Sequence, residues 1–301
     1  MQKRGIFVKR VLSLCLVFAL LTGLCSAFAA LEPGDARAVV GADISEEQRR
    51  DVYRSFDLEP GGATELTVTN AEERQYLSGL VSDSVIGTRS ISCVYVEILT
   101  AGEGLQIDVS NISWCSREMY INALVTAGID DAKLMVSSPV AGVSGTAALT
   151  GIYKAYEDMS GETLNEFAKL VGTQELVLTA ELADEIGSYD AVAIVNELKL
   201  ILDETKNMTD AQLRETINGL AQDYNVSLTE GQKDQLIQLC RSLEGLSSEE
   251  LKAKVEQVQQ TIKKLATAQE TAIGIIQSVK DFFVAVGDFL TNLWNRLRGN
   301  A

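Results

Sequence analysis

The fold is decided by residues 91–99, whose sequence is Ile-Ser-Cys-Val-Tyr-Val-Glu-Ile-Leu. Successive side chains of an extended chain point to opposite faces, and here one face carries Cys93 and Tyr95 while the other carries Val94 and Val96. A strand that is apolar on both faces is typical of a sheet that is covered on each side. The stretch therefore predicts an interior strand of a layered α/β domain.

A second strand pattern follows at residues 105–112, where apolar and polar side chains alternate. Leu105, Ile107 and Val109 lie on one face and polar residues lie on the other, so we expect a half-buried strand. The connecting residues 101–104, Ala-Gly-Glu-Gly, predict a hairpin turn between the two strands.

Strand and helix patterns alternate over the rest of residues 36–158. Capping signatures at Ser45 and Asn70 mark two helix starts. The remaining predicted strands cover residues 39–43, 66–68 and 134–137, and the predicted helices cover residues 45–56, 70–80, 116–127 and 144–156. Together these elements predict a small α/β layer domain with a mixed sheet at residues 36–158.

Strand patterns stop after residue 158, and residues 159–301 predict a helical domain with start signals at Thr209, Thr229 and Ser247. Its last helix is expected at about residues 248–298. From Leu251 to Leu297, in alternating steps of four and three residues, 13 of 14 positions are apolar and Gln269 is the exception. The predicted fold class is therefore α+β, and this heptad seam either joins two chains or packs on its own domain.

A secretory leader is predicted at residues 1–29. Four basic residues within the first ten precede an apolar run at residues 11–21, and Ala27-Phe28-Ala29 follows. The run is too short to span a bilayer, and its small residues suit a signal peptidase. We therefore expect cleavage near Ala29 and a secreted or cell-envelope protein.

Charge and cysteine content limit the partners and the redox chemistry. The leader removes four of the 26 basic residues and none of the 42 acidic ones, which leaves 22 basic and 42 acidic residues and a net charge of −20. Such a charge repels nucleic acid. Three cysteines remain after the leader, namely Cys93, Cys115 and Cys240, and we expect buried free thiols, with a bridge between Cys93 and Cys115 as the alternative.

The sequence contains no complete catalytic motif. It has no histidine, which excludes the Ser-His-Asp triad and the commonest zinc sites. It also lacks a Ser-x-x-Lys motif, a Walker loop, paired CxxC motifs and the spacing of a calcium loop. We therefore predict no catalytic residue, no metal and no cofactor, and we leave open whether the protein is an enzyme.

One local pattern predicts a weak anion site. Ser144, Gly145 and Thr146 follow Pro139 and open a helix, whose first backbone N–H groups could bind a carboxylate or a phosphate. Arg89 precedes the interior strand and would supply a cation if it reached this loop. The alternative is that Ser144 only caps the helix and Arg89 is solvated.

The C-terminal residues 281–298 combine aromatic side chains with a basic end at Arg296 and Arg298. This composition fits a helix that lies in a membrane interface. The apolar positions also continue the upstream heptad, which favours packing on another helix. Self-association and peripheral membrane contact therefore both stay open for this helix.

Five motifs resemble the YpuA-like family of exported proteins from Gram-positive bacteria, which carry a domain of unknown function (domain of unknown function 1002). The motifs are VGAD at residues 40–43, TNAEER at 69–74, IGTRSIS at 86–92, NALVTAGI at 122–129 and SGTAAL at 144–149. The resemblance covers the α/β half closely and the helical half in general character. It implies secretion or residence in the envelope, and it assigns no catalytic residue.

Two functional hypotheses follow. The first is a non-enzymatic binding or scaffold module whose partner is an extracellular protein, peptide or glycan. The alternative is an extracellular hydrolase of cell-wall polymer that uses a carboxylate or a serine, which predicts a buried pair of carboxylates near the ends of the central strands.

Overall fold

The computed structural model describes residues 31–246, 251–256 and 258, which form a mixed sheet surrounded by helices. This architecture confirms the predicted α+β fold class. The strands are β1 (Ala36–Gly41), β2 (Thr64–Val68), β3 (Cys93–Ile98), β4 (Leu105–Ser110) and β5 (Ala132–Ser137). The helices are α1 (Glu46–Ser55), α2 (Asn70–Leu77), α3 (Asp83–Ile86), α4 (Arg117–Ala127), α5 (Thr146–Ser160), α6 (Glu166–Ile186), α7 (Ser188–Leu200), α8 (Leu202–Thr205), α9 (Asp210–Asp223) and α10 (Glu230–Leu243). Residues 251–256 are also helical.

The five strands are ordered β2-β1-β3-β5-β4 across the sheet. The two outer pairs, β1 with β2 and β4 with β5, are parallel, and β3 runs antiparallel to both of its neighbours. The prediction of an interior strand at residues 91–99 is confirmed, because β3 is the central strand and Val94 pairs with Val39 on one side and Val136 on the other.

The predicted hairpin between residues 99 and 105 is wrong, because β5 lies between β3 and β4 and pairs with both. The loop at residues 99–104 therefore skips one strand position instead of joining neighbours. The glycines of this loop do form a tight turn. The hydrogen-bond partner of their N–H groups is the carboxylate of Asp131 at the start of β5. Asp131 Oδ1 accepts hydrogen bonds from the N–H groups of Gly102 at 2.9 Å and Gly104 at 2.7 Å.

Helices cover both faces of the sheet, as the apolar pattern of β3 requires. On one face Cys93 packs with Ala38, Val40 and the α1 residues Tyr53 and Phe56. On the other face the valines of β1, β3 and β5 pack against α4 and α5. The alternation of side chains along each strand thus builds two separate apolar layers.

A second layer of helices, α6 and α7, lies behind α4. Gly172 of α6 allows this close approach, since a Cβ atom there would lie 2.6 Å from the backbone oxygen of Ala123. Leu176 and Ala180 of α6 belong to the same apolar cluster as Val94 of the sheet. The core therefore runs across residue 158, and the division into domains at that residue stays a prediction.

The start of the heptad seam is described, and it packs on its own chain. Leu251 and Val255 are buried in the cluster formed by α6, α7 and α10, and Val258 packs against the same cluster. The rest of the predicted helix at residues 248–298 and the leader at residues 1–29 lie outside the described residues. Within the described residues no helix is long and apolar enough to cross a membrane.

The three cysteines are free and buried, as predicted. Burial raises the pKa of Cys93 and of Cys115 to about 12 and the pKa of Cys240 to about 11. The thiolate, which is the reactive form, is therefore disfavoured at all three positions. The alternative of a bridge between Cys93 and Cys115 is wrong.

Candidate functional site

Two edges of the sheet are candidates for function. Strands β1, β2, β4 and β5 all have their carboxyl ends on the same side of the sheet, and we call this row of strand ends the carboxyl edge. The same strands all begin on the opposite side, which we call the amino edge. Ligands of α/β proteins usually bind outside the carboxyl ends of the strands. All four residues of the predicted anion site, Arg89, Ser144, Gly145 and Thr146, lie in segments that begin or end at the carboxyl edge.

The structure brings three of these residues together and holds the fourth elsewhere. The hydroxyl groups of Ser144 and Thr146 lie 3.1 Å apart, on either side of Gly145. The guanidinium group of Arg89 instead donates to the backbone oxygen of Asp43 at 2.7 Å, on the loop after β1. Contacts among the described residues do not join Arg89 to Ser144, and an anion site there stays a prediction.

The start of α5 is faced by a carboxyl group of the protein itself. Thr146, the first residue of α5, donates its hydroxyl hydrogen to Glu73 Oε1 at 2.6 Å, and Asn70 Nδ2 donates to Glu73 Oε2 at 3.4 Å. Glu73 is only 1% exposed. Acidic groups are stabilised near helix N-termini, so Glu73 occupies the kind of position that an external anion would take.

Sequence reasoning missed Glu73 because it placed the cap of α2 one residue too late. The N-cap is Thr69, which forms a capping box with Glu72, and Asn70 is the first helical residue. The signal was available, since Thr69 and Glu72 also have the spacing of a capping box. Moving the cap back by one residue leaves Glu73 free to point inward.

Burial raises the pKa of Glu73 above its ordinary value of 4.5, although the hydrogen bonds from Thr146 and Asn70 oppose this rise. The neighbouring Glu72 behaves in the opposite way. Burial acts to raise its pKa, but hydrogen bonds from Lys154 and Thr69 outweigh burial and lower it. Lys154 Nζ lies 2.5 Å from Glu72 Oε1.

The loop before α5 is fixed by buried groups as well. Gly145 has a φ of +94° and is the N-cap of α5, so the prediction that Ser144 caps this helix is wrong. The buried hydroxyl of Tyr120 donates to the backbone oxygen of Gly145 at 2.7 Å. A Cβ atom on Gly145 would lie 2.5 Å from that hydroxyl, so only glycine fits. The hydroxyl groups of Ser144 and Thr146 and the carbonyl group of Gly145 therefore all have partners within the chain.

A cavity of about 440 Å³ opens at the amino edge, between the loop after β3, the end of α4 and the helical residues 251–256. We call it the amino-edge cavity. One wall is apolar and the mouth carries three carboxylates and one ammonium group. The lining residues are Gly102, Glu103, Gly104, Leu105, Gln106, Ile121, Val125, Asp130, Asp131, Lys254 and Val258.

Two of the carboxylates at the mouth are held differently. Asp130 Oδ2 forms an ion pair with Lys254 Nζ at 2.8 Å. Asp131 is held through Oδ1 by the N–H groups of Gly102 and Gly104, and in the described part of the chain its Oδ2 accepts no hydrogen bond. Asp131 is half-buried and its side chain lines the cavity.

A third polar cluster lies inside the helical layers. Glu175 Oε1 and Lys199 Nζ are 2.5 Å apart and both side chains are fully buried. Burial raises the pKa of Glu175 and lowers that of Lys199, while the ion pair opposes both shifts. Thr126 donates to Glu175 Oε2 at 2.5 Å, so the cluster ties α4, α6 and α7 together.

The buried acids do not form the pair that the hydrolase hypothesis predicts. Among the described residues Glu73 and Glu175 are the buried acids, and they belong to separate clusters in α2 and α6. The described residues also contain no group of three His, Cys, Asp or Glu side chains that could hold a metal ion.

The mixed sheet and its helical layers define a protein of the α+β class, and comparison with known proteins gives its family. The chain belongs to the family described as "Protein of unknown function (DUF1002)", whose sequence pattern matches residues 40–265. It is similar to the "Uncharacterized protein YpuA" of Bacillus subtilis (strain 168), with 38% identity over 266 residues that cover 87% of this chain and 90% of that protein. No solved structure matches. The family resemblance of the five sequence motifs is thereby confirmed.

Proposed function

We propose that this protein is an exported binding module of the cell envelope that acts without catalysis, and that its ligand site is the amino-edge cavity. The observation that carries the proposal is the cavity itself. Its volume of about 440 Å³ is in the range of ligand pockets, and it combines an apolar wall with a few charged groups at the mouth. Export is supported by the leader pattern at residues 1–29.

The test uses the protein expressed with its own leader in Bacillus subtilis and purified from the envelope or the medium. Its mass reports whether cleavage falls near Ala29. Soluble cell-envelope fragments are then added, and the amide resonances of Gly102, Gly104 and Asp131 are followed by NMR. We expect these resonances to shift while the fragments stay uncleaved.

A pair of tryptophan variants locates the binding. Leu105→Trp fills the cavity from a half-buried position on the edge strand β4. Val109→Trp is the matched control, because Val109 is half-buried on the same face of β4 but does not line the cavity. Binding that is lost in Leu105→Trp and kept in Val109→Trp supports the proposal. Binding that survives in both variants, or that never occurs in the unmodified protein, overturns it.

The hydrolase is a second candidate, and one observation favours it. Ser144, Thr146 and Glu73 form a chain in which hydroxyl groups 3.1 Å apart lead to a buried carboxyl at 2.6 Å. Such a chain could pass a proton from Ser144 to Glu73. Release of soluble fragments from purified cell wall that disappears in both Ser144→Ala and Glu73→Gln would establish this activity. Fragment release that is absent, or unchanged in the variants, rejects it.

Self-association through the later seam positions is a further part of the proposal, because heptad repeats favour helix pairing. Leu251 and Val255 are buried in their own chain, so we assign the pairing with a second copy to the seam positions after Val258. Light scattering on the full chain and on Ile262→Asp plus Ile276→Asp measures the oligomeric state. A dimer or trimer that dissociates in the variant supports a scaffold role, and a monomer in both excludes it.

A further inference from the structure

We propose that the amino-edge cavity binds a primary ammonium group on an aliphatic chain, and that Asp131 is the residue that pairs with the ammonium. This inference rests on the proposed function, since it names the ligand chemistry of the same cavity. It follows from the shape of the lining, the charge at the mouth and the way in which Asp131 is held.

The wall of the cavity suits an unbranched aliphatic chain. Ile121 and Val125 of α4 are buried, while Leu105 and Val258 are half-buried and face the same space. These four side chains present hydrocarbon and no polar atoms. A chain of a few methylene groups would gain affinity from each methylene that it buries against this wall.

The mouth of the cavity favours a cation. Among the described lining residues, Glu103, Asp130 and Asp131 are accompanied by one ammonium group, that of Lys254, which pairs with Asp130 at 2.8 Å. Within the described part of the chain, Glu103 and Asp131 form no ion pair. A ligand that carries a positive charge is attracted there, and a carboxylate or phosphate is repelled.

Asp131 is already oriented for this role. The N–H groups of Gly102 and Gly104 fix its Oδ1, at 2.9 and 2.7 Å, while Oδ2 accepts no hydrogen bond from the described residues that line the cavity. A fixed carboxylate loses little side-chain freedom when it binds, which favours affinity. Hydrogen bonds between an ammonium and a carboxylate are also stronger than those between neutral groups.

Asp131 also fixes the loop at residues 99–104. The variant must therefore separate this structural role from the pairing with an ammonium group. Asp131→Asn keeps an oxygen that accepts from Gly102 and Gly104 but removes the charge. The amide resonances of these glycines and the melting temperature report whether the loop is kept. Glu59→Gln is the control for the loss of one negative charge, because Glu59 is exposed in the turn after α1 and does not line the cavity.

The probes are chosen to separate the ammonium group from the chain that carries it. Nα-acetyl-lysine methylamide represents a side chain within a peptide, and 1,5-diaminopentane represents a free amine. Nα-acetyl-norleucine methylamide has the aliphatic chain without the ammonium group. NMR titration of the full chain gives a dissociation constant for each probe.

We expect at least one amine probe to bind about ten times more tightly than the norleucine probe, and Asp131→Asn to remove this difference. Preference for the lysine probe identifies a peptide as the source of the amine, and preference for diaminopentane identifies a free amine. Equal binding of the norleucine and amine probes, unchanged in Asp131→Asn, overturns the ammonium inference and leaves the cavity as a binding site. Absence of binding by every probe overturns the ammonium inference, and the proposed function is then judged by the envelope fragments alone.

Discussion

The two edges of the sheet hold their acidic groups in opposite ways. At the carboxyl edge Glu73 is buried, and both of its oxygens accept hydrogen bonds from neighbouring side chains. At the amino edge Asp131 is half-buried and is held by backbone N–H groups on one oxygen only. The first arrangement joins α2 to α5, and the second leaves a charged oxygen beside a cavity.

The comparison shows why the position of an acid in the fold does not by itself mark a site. The carboxyl edge is where ligands of α/β proteins usually bind, but here Ser144, Thr146 and Glu73 bond to one another. At the amino edge, the loop after β3 lines a cavity together with α4, Lys254 and Val258. A polar group that lacks a full set of internal partners is the better indicator of a ligand site.

The largest expected effect tests how tightly each edge is packed. A Cβ atom at Gly41, where β1 ends, would lie 2.2 Å from the backbone oxygen of Ser90. Gly41→Ala therefore forces the backbone apart and should cost about 3 kcal/mol. At Gly102 on the amino edge there is open space and only the φ of +88° opposes a side chain, so Gly102→Ala should cost about 1 kcal/mol.

Urea denaturation of both alanine variants measures the two costs. Equal losses of stability would show that the carboxyl edge relaxes as easily as the open amino edge. A loss in Gly41→Ala that exceeds the loss in Gly102→Ala confirms the difference in packing.

The next effect concerns the hydrogen bond between Thr146 and Glu73. Thr146→Val keeps the shape of the side chain but removes the donor at 2.6 Å, which leaves the buried carboxyl with Asn70 as its remaining partner. We expect a loss of about 2 kcal/mol in the free energy of unfolding. Ser144→Ala, which removes only a bond between two hydroxyl groups, should cost about 0.5 kcal/mol. Equal effects of the two variants would show that Glu73 does not depend on Thr146.

Glu72 and Glu73 should respond to pH with opposite signs. The pKa of Glu73 is raised in the folded state, so its contribution to stability is full below about pH 4.5 and is lost as the pH rises through the folded pKa. The pKa of Glu72 is lowered, so its contribution is present above about pH 4.5 and is lost as the pH falls through the folded pKa.

Melting curves of Glu73→Gln and Glu72→Gln between pH 3.5 and pH 7 test this contrast. The melting temperature of Glu73→Gln, relative to the unmodified protein, should rise with pH, because the variant no longer carries a buried charge. That of Glu72→Gln should fall with pH, because the variant lacks the ion pair with Lys154. Slopes of the same sign would contradict the assignment of the buried acid.

Most of the sheet was predictable from sequence, because the period-two pattern of strands such as β3 reports burial directly. Strand order was not, since the pattern of β3 and β4 does not say whether a third strand lies between them. The hairpin prediction failed for that reason. Capping boxes at Ser45, Thr209 and Thr229 were read at the right residue.

The candidate sites were predicted less well than the fold. The motif around Ser144 drew attention to the loop before α5, but the partner of Thr146 is Glu73, which is 73 residues away along the chain. Only the packing of α2 against α5 brings them together. The amino-edge cavity was not predicted at all, because it is lined by three segments that are distant in sequence.

The smallest expected effect tests whether the ion pair at the cavity mouth matters for folding. Asp130 and Lys254 are partly exposed, with side-chain exposures of 41% and 22%, and solvent weakens such pairs. Lys254→Met should therefore cost about 0.5 kcal/mol in the free energy of unfolding, much less than Thr146→Val at the carboxyl edge.

The same variant removes the only lysine that lines the cavity among the described residues, so it should strengthen the binding of an amine probe. Urea denaturation of this variant measures the effect on stability, and NMR titration measures the effect on amine binding. Weaker amine binding together with a large loss of stability would place Lys254 in the framework of the fold and not at the rim of a ligand site.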